Sequence, residues 1–129
     1  MKPPCVSVAS QMLPALRVLV ARNLVETHGL KPSVAALKMG VTPAAVTQYL
    51  SGVRGSKLVD ALGESDRVRH LLDGFVKELL KECPDRLTTM AAVCELCRAA
   101  REERILCRFC EIVADIGADR CDLCSRLSR

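Results

Sequence analysis

The chain has 129 residues, half of them apolar but only 2 % aromatic, and a net charge of +4. That length bounds it to one ordinary domain or two very small ones, and an aliphatic, Ala- and Leu-rich composition predicts an all-α fold. No apolar run reaches the ~18 residues of a membrane span, so no membrane partner is expected.

The N-terminus, "MKPPCVSVASQML", reads as neither signal peptide nor anchor, and a cytoplasmic protein is expected. A first helix is predicted from about Leu13, with Pro14 in its first turn, where a missing N–H costs nothing. Leu16, Leu19, Val20, Leu24 and Val25 recur at helical spacing, and Gly29 is the stop. His28 reads as a helix-end residue. "LKPSVAALKMG" predicts a second short helix, with Pro32 at its start, Val34, Ala35 and Leu37 facing inward, and Gly40 at its end. Thr42 then caps a third helix with Pro43 at its first position, running to about Leu50. "SGVRGSK" is a loop. A fourth helix over Lys57–Leu62 stops at Gly63.

"SDRVRHLLDGFVKELLKECPD" follows, capped by Ser65 and stopped by Pro84. Val68, Leu71, Leu72, Phe75, Val76, Leu79 and Leu80 form one amphipathic stripe. Packing within the chain and a dimer seam fit that stripe equally well. Another helix starts near Leu87–Thr89 and carries Cys94 and Cys97.

The second and third helices have the pattern of a helix-turn-helix. A small residue, Ala36, sits where the helices touch. Gly40 tolerates positive φ in the turn, and Val46 faces back to the first helix, with Val41 and Leu50 completing a small core. The N-terminal part of the second helix of such a pair enters the major groove of DNA. Thr42, Ala44, Ala45, Thr47 and Gln48 are then the candidates for base edges and flanking phosphates; Gln pairs bidentately with adenine, and Ala meets a thymine methyl. Arg54, Lys57 and Lys38 suit phosphates, although a merely solvated lysine explains Lys38 and Lys57 as well. The charge is placed accordingly: +5 over residues 1–60 against −1 over residues 61–129. A basic half suits a polyanion and also an ordinary solvated surface.

"MLPALRVLVARNLVETHGLKPSVAALKMGVTPAAVTQYLSGVRGSK" resembles the N-terminal part of a family of predicted transcriptional regulators found mainly in archaea, whose helix-turn-helix is similar to that of the Cro/C1 repressors. The match runs over residues 12–57. Ser33 and Val34 replace a more usual polar pair, and Thr47 stands where Ser is common. The resemblance implies a DNA-binding regulator. The cysteine-rich tail is also similar to that family's, which has a His near the place of Cys110.

The tail reads Cys94-x2-Cys97-x9-Cys107-x2-Cys110-x10-Cys121-x2-Cys124. Eight cysteines in a reducing compartment favour metal ligation over disulfides, intracellular hyperthermophile proteins being the exception. Two thiolates two residues apart chelate one ion or cluster, and a second pair closes the site. Six thiolates exceed the four that zinc or a 4Fe–4S cluster needs. Cys94/Cys97 and Cys121/Cys124 look most like the clamp, with the middle pair adding one or two ligands. The first two pairs cannot converge along one continuous helix, because ten residues separate them by about 15 Å, so a shared site requires a bend near Arg104. The knuckles lack Gly and Pro, and helical pairs suit a cluster; a 4Fe–4S cluster is the first expectation and zinc the alternative. Arg98, Arg101, Arg104, Arg108 and Arg120 offset thiolate charge or form solvated helix faces with Glu102, Glu103 and Glu111. Cys5 and Cys83 fall outside the pattern and are expected to pack.

The expected architecture is all-α. A four- to five-helix helix-turn-helix domain spans residues 8–63, an amphipathic connecting and dimerising helix residues 64–84, and a cysteine-rich metal module residues 85–129. The expected function is a homodimeric, double-stranded-DNA-binding transcriptional regulator whose metal centre senses redox state or is purely structural zinc. An Fe–S electron carrier and an RNA- or protein-binding adaptor are the competitors. No catalytic set or phosphate-binding glycine loop is present, so no enzyme is expected.

Overall fold

The structure is a computed structural model that describes residues 6, 8–51, 57–117 and 119–127. Among them the chain is helical, with no strand. The first helix, α1, spans Leu13–Arg22 with Pro14 in its first turn, as the sequence predicts. It begins earlier than expected and runs on to the expected stop, the last part in wider turns. A wide π-type turn over Val8–Met12 leads into it and another over Asn23–Thr27 prolongs it. The second of these ends at Gly29, which adopts φ +66°. The Leu30 N–H reaches back to the Leu24 carbonyl at 3.0 Å, a closure one residue wider than a normal Schellman turn. Met12, Ala15, Leu16, Val18, Val20, Ala21 and Leu24 are buried along this rod.

Helix α2 spans Pro32–Met39 and α3 spans Pro43–Ser51, and α3 packs against both α2 and α1. Gly40 takes φ +69° between them, the left-handed turn expected of it. Its corner is closed by the Val41 N–H donating to the Ala36 carbonyl at 3.0 Å. Ala35, Ala36 and Val46 are completely or nearly completely buried, and Val41 and Leu50 pack partly against them. Two expectations fail here. Neither Val34 nor Leu37 faces inward: Val34 is exposed and Leu37 is 80 % exposed, because Ala35 and Ala36 already occupy the inner side of this short helix.

Helix α4 spans Lys57–Glu64 and runs through Gly63, which does not stop it. The break comes at Ser65, which caps α5 (Asp66–Leu79) by accepting from the Val68 N–H at 3.2 Å. The α5 stripe is spent inside the chain. Val68, Leu72, Phe75, Val76 and Leu79 are buried, and Leu71 and Leu80 pack partly against the same core. Each fully buried Val, Leu or Phe contributes about 1.5–3 kcal/mol, so this face is committed to the fold.

Helix α6 spans Arg86–Glu102, antiparallel to α5, and forms with it the most extensive helix pair of the molecule. The corner between them is tied electrostatically. The buried Glu78 carboxylate accepts from the Asp85 N–H at 3.0 Å and from Lys81 Nζ at 2.6 Å, and Asp85 caps α6 through the Thr88 N–H at 2.9 Å. Beyond α6 come a 3-10 turn at Leu106–Phe109, α7 (Glu111–Ile116) and α8 (Leu123–Leu127). A single core of buried residues runs from Met12 to Leu106.

Two outcomes follow. At Gly40 an added Cβ would meet nothing within 4 Å, so Gly40→Ala costs only its left-handed backbone, about 1–2 kcal/mol, and Gly40→Asn costs less. A urea midpoint lowered at unchanged slope checks this. The Lys81 and Asp85 hydrogen bonds hold Glu78 below its ordinary value of 4.5. A lowered carboxylate stabilises above its unfolded value and loses that contribution as pH falls through the folded one. Glu78→Gln therefore melts earlier than the parent at pH 7, and the gap closes on acidification below the carboxylate range.

Candidate nucleic-acid interface and thiol cluster

The start of α3 follows from its first two residues. The Thr42 hydroxyl accepts from the Ala45 N–H at 3.1 Å, and Pro43 presets the first turn. This fixes which side of α3 faces away from the core. Thr42, Ala44, Thr47 and Gln48 are exposed, Ala45 is half-buried and Val46 is fully buried. Four of the five expected base-facing residues thus lie open together, and Ala45 only partly joins them. The Thr47 hydroxyl donates to the Pro43 carbonyl at 3.1 Å, one turn back. To meet a phosphate it must turn away from that bond. Gln48 projects into solvent with both amide functions available for a base edge.

The expected phosphate contacts separate. Lys57 is exposed as the first residue of α4 rather than part of a loop. Arg54 lies outside the described residues. Lys38 is engaged elsewhere: its Nζ donates to the Lys81 carbonyl at 3.2 Å, at the end of α5. A cation is favourable at that helix terminus, and this ties α2 to the α5–α6 corner.

The cysteines sort differently from the expectation. Cys94 and Cys97 sit on the continuous α6, Cys94 exposed and Cys97 half-buried against the core. The chain does bend at Arg104, which takes φ +60°, just beyond the end of α6. Cys107 lies on the 3-10 turn and Cys110 ends it in extended backbone. Cys121 precedes α8 and Cys124 is its second residue. Helix α8 packs on α6, which returns the last pair to the body of the molecule. Burial raises the Cys124 thiol above the ordinary cysteine value; Arg101 opposes the rise, and Cys107, Cys110 and Cys121 add to it. Cys97 is also raised by burial, opposed by Arg101, and the cysteine acting on it is Cys94. The thiols that act on Cys124 are thus Cys107, Cys110 and Cys121, and the one that acts on Cys97 is Cys94, its dyad partner on α6. Arg101 lies between the two groups. The four form a neighbourhood rather than a coordination shell: among the described residues no three His, Cys, Asp or Glu side chains are gathered as a metal ion would hold them.

Several contacts attach this region to the rest of the molecule. Gln11 Nε2 donates to the Phe109 carbonyl, inside the Cys107–Cys110 turn, at 3.1 Å. The Ser65 hydroxyl donates to the Glu103 carboxylate at 2.9 Å, and Arg67 pairs with Glu102 at 2.6 Å. Arg104 reaches the Cys121 carbonyl at 3.4 Å. Neither Gln11 nor Ser65 carries a sequence signal for such a role, since each looks like an ordinary polar residue at a helix start. Cys83 does not pack as expected: it is exposed in the α5–α6 corner, where Pro84 holds the chain out of helix. Cys5 lies outside the described residues. His28 ends the π turn after α1, as expected of it.

No helix among the described residues is long and apolar enough to cross a membrane. No protein-family model matches the chain, and neither a curated protein nor a solved structure is detectably similar to it.

Exposure and burial set an order of thiol reactivity. In metal-free protein at mildly alkaline pH, Cys83 and Cys94 are alkylated by iodoacetamide before Cys97 and Cys124, which burial keeps protonated. Peptide-mapped alkylation rates read the order directly, and uniform rates would contradict it.

Proposed function

We propose that the chain is a sequence-specific regulator of transcription that binds duplex DNA, is cytoplasmic, catalyses no reaction and works as a homodimer. The observation that carries this reading is the outer side of α3. Thr42, Ala44, Thr47 and Gln48 are open on a helix held by a left-handed corner and by the buried Val46. A helix so supported enters a major groove leading end first, with its N-terminal N–H groups toward phosphate. The basic balance of residues 1–60 supplies the attraction. Two half-sites are needed because one short helix reads few base pairs. The α5 stripe is spent within the chain, so pairing falls to the apolar side chains left outside, with Leu37, Leu87 and Met90 the most exposed on α2 and α6.

We assign the tail a four-thiolate zinc site formed by Cys107, Cys110, Cys121 and Cys124. The donor types are those of a four-thiolate zinc site, two CxxC pairs beyond the bend at Arg104, and the ion would draw the four sulfurs from their present neighbourhood into one shell. Zinc is preferred to a 4Fe–4S cluster because Cys94/Cys97, the pair on a continuous helix, is outside this set. Cys107 and Cys110 lie on a 3-10 turn ending in extended backbone, and Cys121 precedes its helix. Bound there, zinc supplies no redox chemistry and acts as a folding staple.

Selection from randomised duplexes followed by anisotropy titration tests the reading. Gln48→Ala should cost about 1–3 kcal/mol on the selected site and relax specificity at one position. Lys57→Ala should weaken all duplexes alike and lower the salt slope by about 1. Preference for RNA, or no grip on any duplex, removes the regulator. Metal analysis of anaerobically purified protein tests the tail. Zinc in a colourless sample supports the staple, and a brown sample with iron and sulfide replaces it with a cluster and revives an electron carrier.

A further inference from the structure

The dyad on α6 is left over once the tail takes four thiols. Cys94 and Cys97 are three residues apart on one helix, so they share a face, with Cβ atoms about 5–6 Å apart. A disulfide wants its Cβ atoms near ~3.8 Å, closer than an intact helix allows. An ion held between two sulfurs accepts the wider spacing. Among the described residues no third His, Cys, Asp or Glu is gathered with them, so the two sulfurs are the donors the pair itself offers. Zinc needs four ligands and hard cations want oxygen, so neither is satisfied here; soft thiolates alone select monovalent copper. The surroundings complete the case. Cys94 is exposed, giving an ion an entry, while Cys97 packs against the core and keeps one sulfur fixed. Arg101, one turn further on, has a buried Nε with no hydrogen-bond partner. Two thiolates around one monovalent cation carry a net negative charge, the kind of acceptor such a donor lacks.

We propose that Cys94 and Cys97 form a second, two-coordinate site for a thiophilic monovalent cation, Cu(I). On binding, both thiols release their protons to solvent, two S–Cu bonds form, and no electron is transferred. The proposal rests on the four-thiol reading of the tail, but not on DNA binding.

The test is an anaerobic titration of the purified full chain with Cu(I) buffered by a competing chelator. Thiolate-to-copper absorption and zinc release are followed together in the parent, Cys94→Ser and Cys121→Ser. Cys94 is exposed, so its serine variant keeps the fold, which circular dichroism checks. The expected result is a copper band at the first equivalent in the parent and in Cys121→Ser, lost in Cys94→Ser, with no zinc released from the parent. A band that survives in Cys94→Ser, or a first equivalent that expels zinc, overturns the proposal. The zinc content of the untitrated parent is read separately, so failure of the tail reading is distinguishable from failure of the dyad.

Discussion

Everything on the outer side of the molecule is set by the left-handed turn at Gly40. It brings α3 back across α2 and α1, so that Val46 joins Ala36 in the core and is sealed from solvent. That placement phases α3 about its own axis. With Val46 inward, helical periodicity sends Thr42, Ala44, Thr47 and Gln48 outward without further instruction. The cap at Thr42 fixes where the helix begins and so which residues form its leading turn. Small side chains do the rest. Ala35 and Ala36 let the helices approach closely, which a chain with 2 % aromatic residues must do to exclude water from its core.

The second constraint is that the tail has few apolar means of its own. Leu106 is the last buried hydrophobic residue among those whose side chains are described. Beyond it, Phe109 packs partly against the core, and polar ties and the packing of α8 on α6 add to the attachment. Three ties lead back to the N-terminal segment and α5: Gln11 to Phe109, Ser65 to Glu103, Arg67 to Glu102. The N-cap of α5 is therefore also an anchor for the turn that follows α6. Exposed ion pairs contribute little singly, so such a tail is a natural place for a metal staple.

Helix identity and boundaries were legible wherever a local rule acted alone. Proline at a first turn, glycine at a left-handed stop, and Ser65 or Pro84 at an end each state their role within a few residues. Rules that depend on a third body were not. Leu37 reads as inward from hydrophobicity, but two alanines had already filled the available face. Gly63 reads as a stop, yet nothing demands positive φ there and the helix runs on to Ser65. Lys38 reads as a free cation, and only the return of α5 shows that it faces the Lys81 carbonyl. The stripe on α5 fits a partner helix in either chain; the length of α6 decides that it is covered from within. The cysteine pattern announced paired thiols and a bend at Arg104. Which pairs meet depends on where α8 lands, and that is tertiary information.

The division of the thiols has a consequence for how the two halves are joined. Helix α6 presents Leu96, Ala99 and Ala100 to the core. The sequence Cys94, Cys97, Arg101 follows the i, i+3, i+7 spacing of one face of the same helix. Arg101 acts on both Cys97 and Cys124, one thiol of the dyad and one of the tail. A guanidinium in that place lowers the cost of negative charge on either side of it. It does so most where burial would otherwise keep the thiols protonated. The same helix thus carries the core contacts of the fold on one side and, on the other, the cation that partly offsets the effect of burial on two thiols.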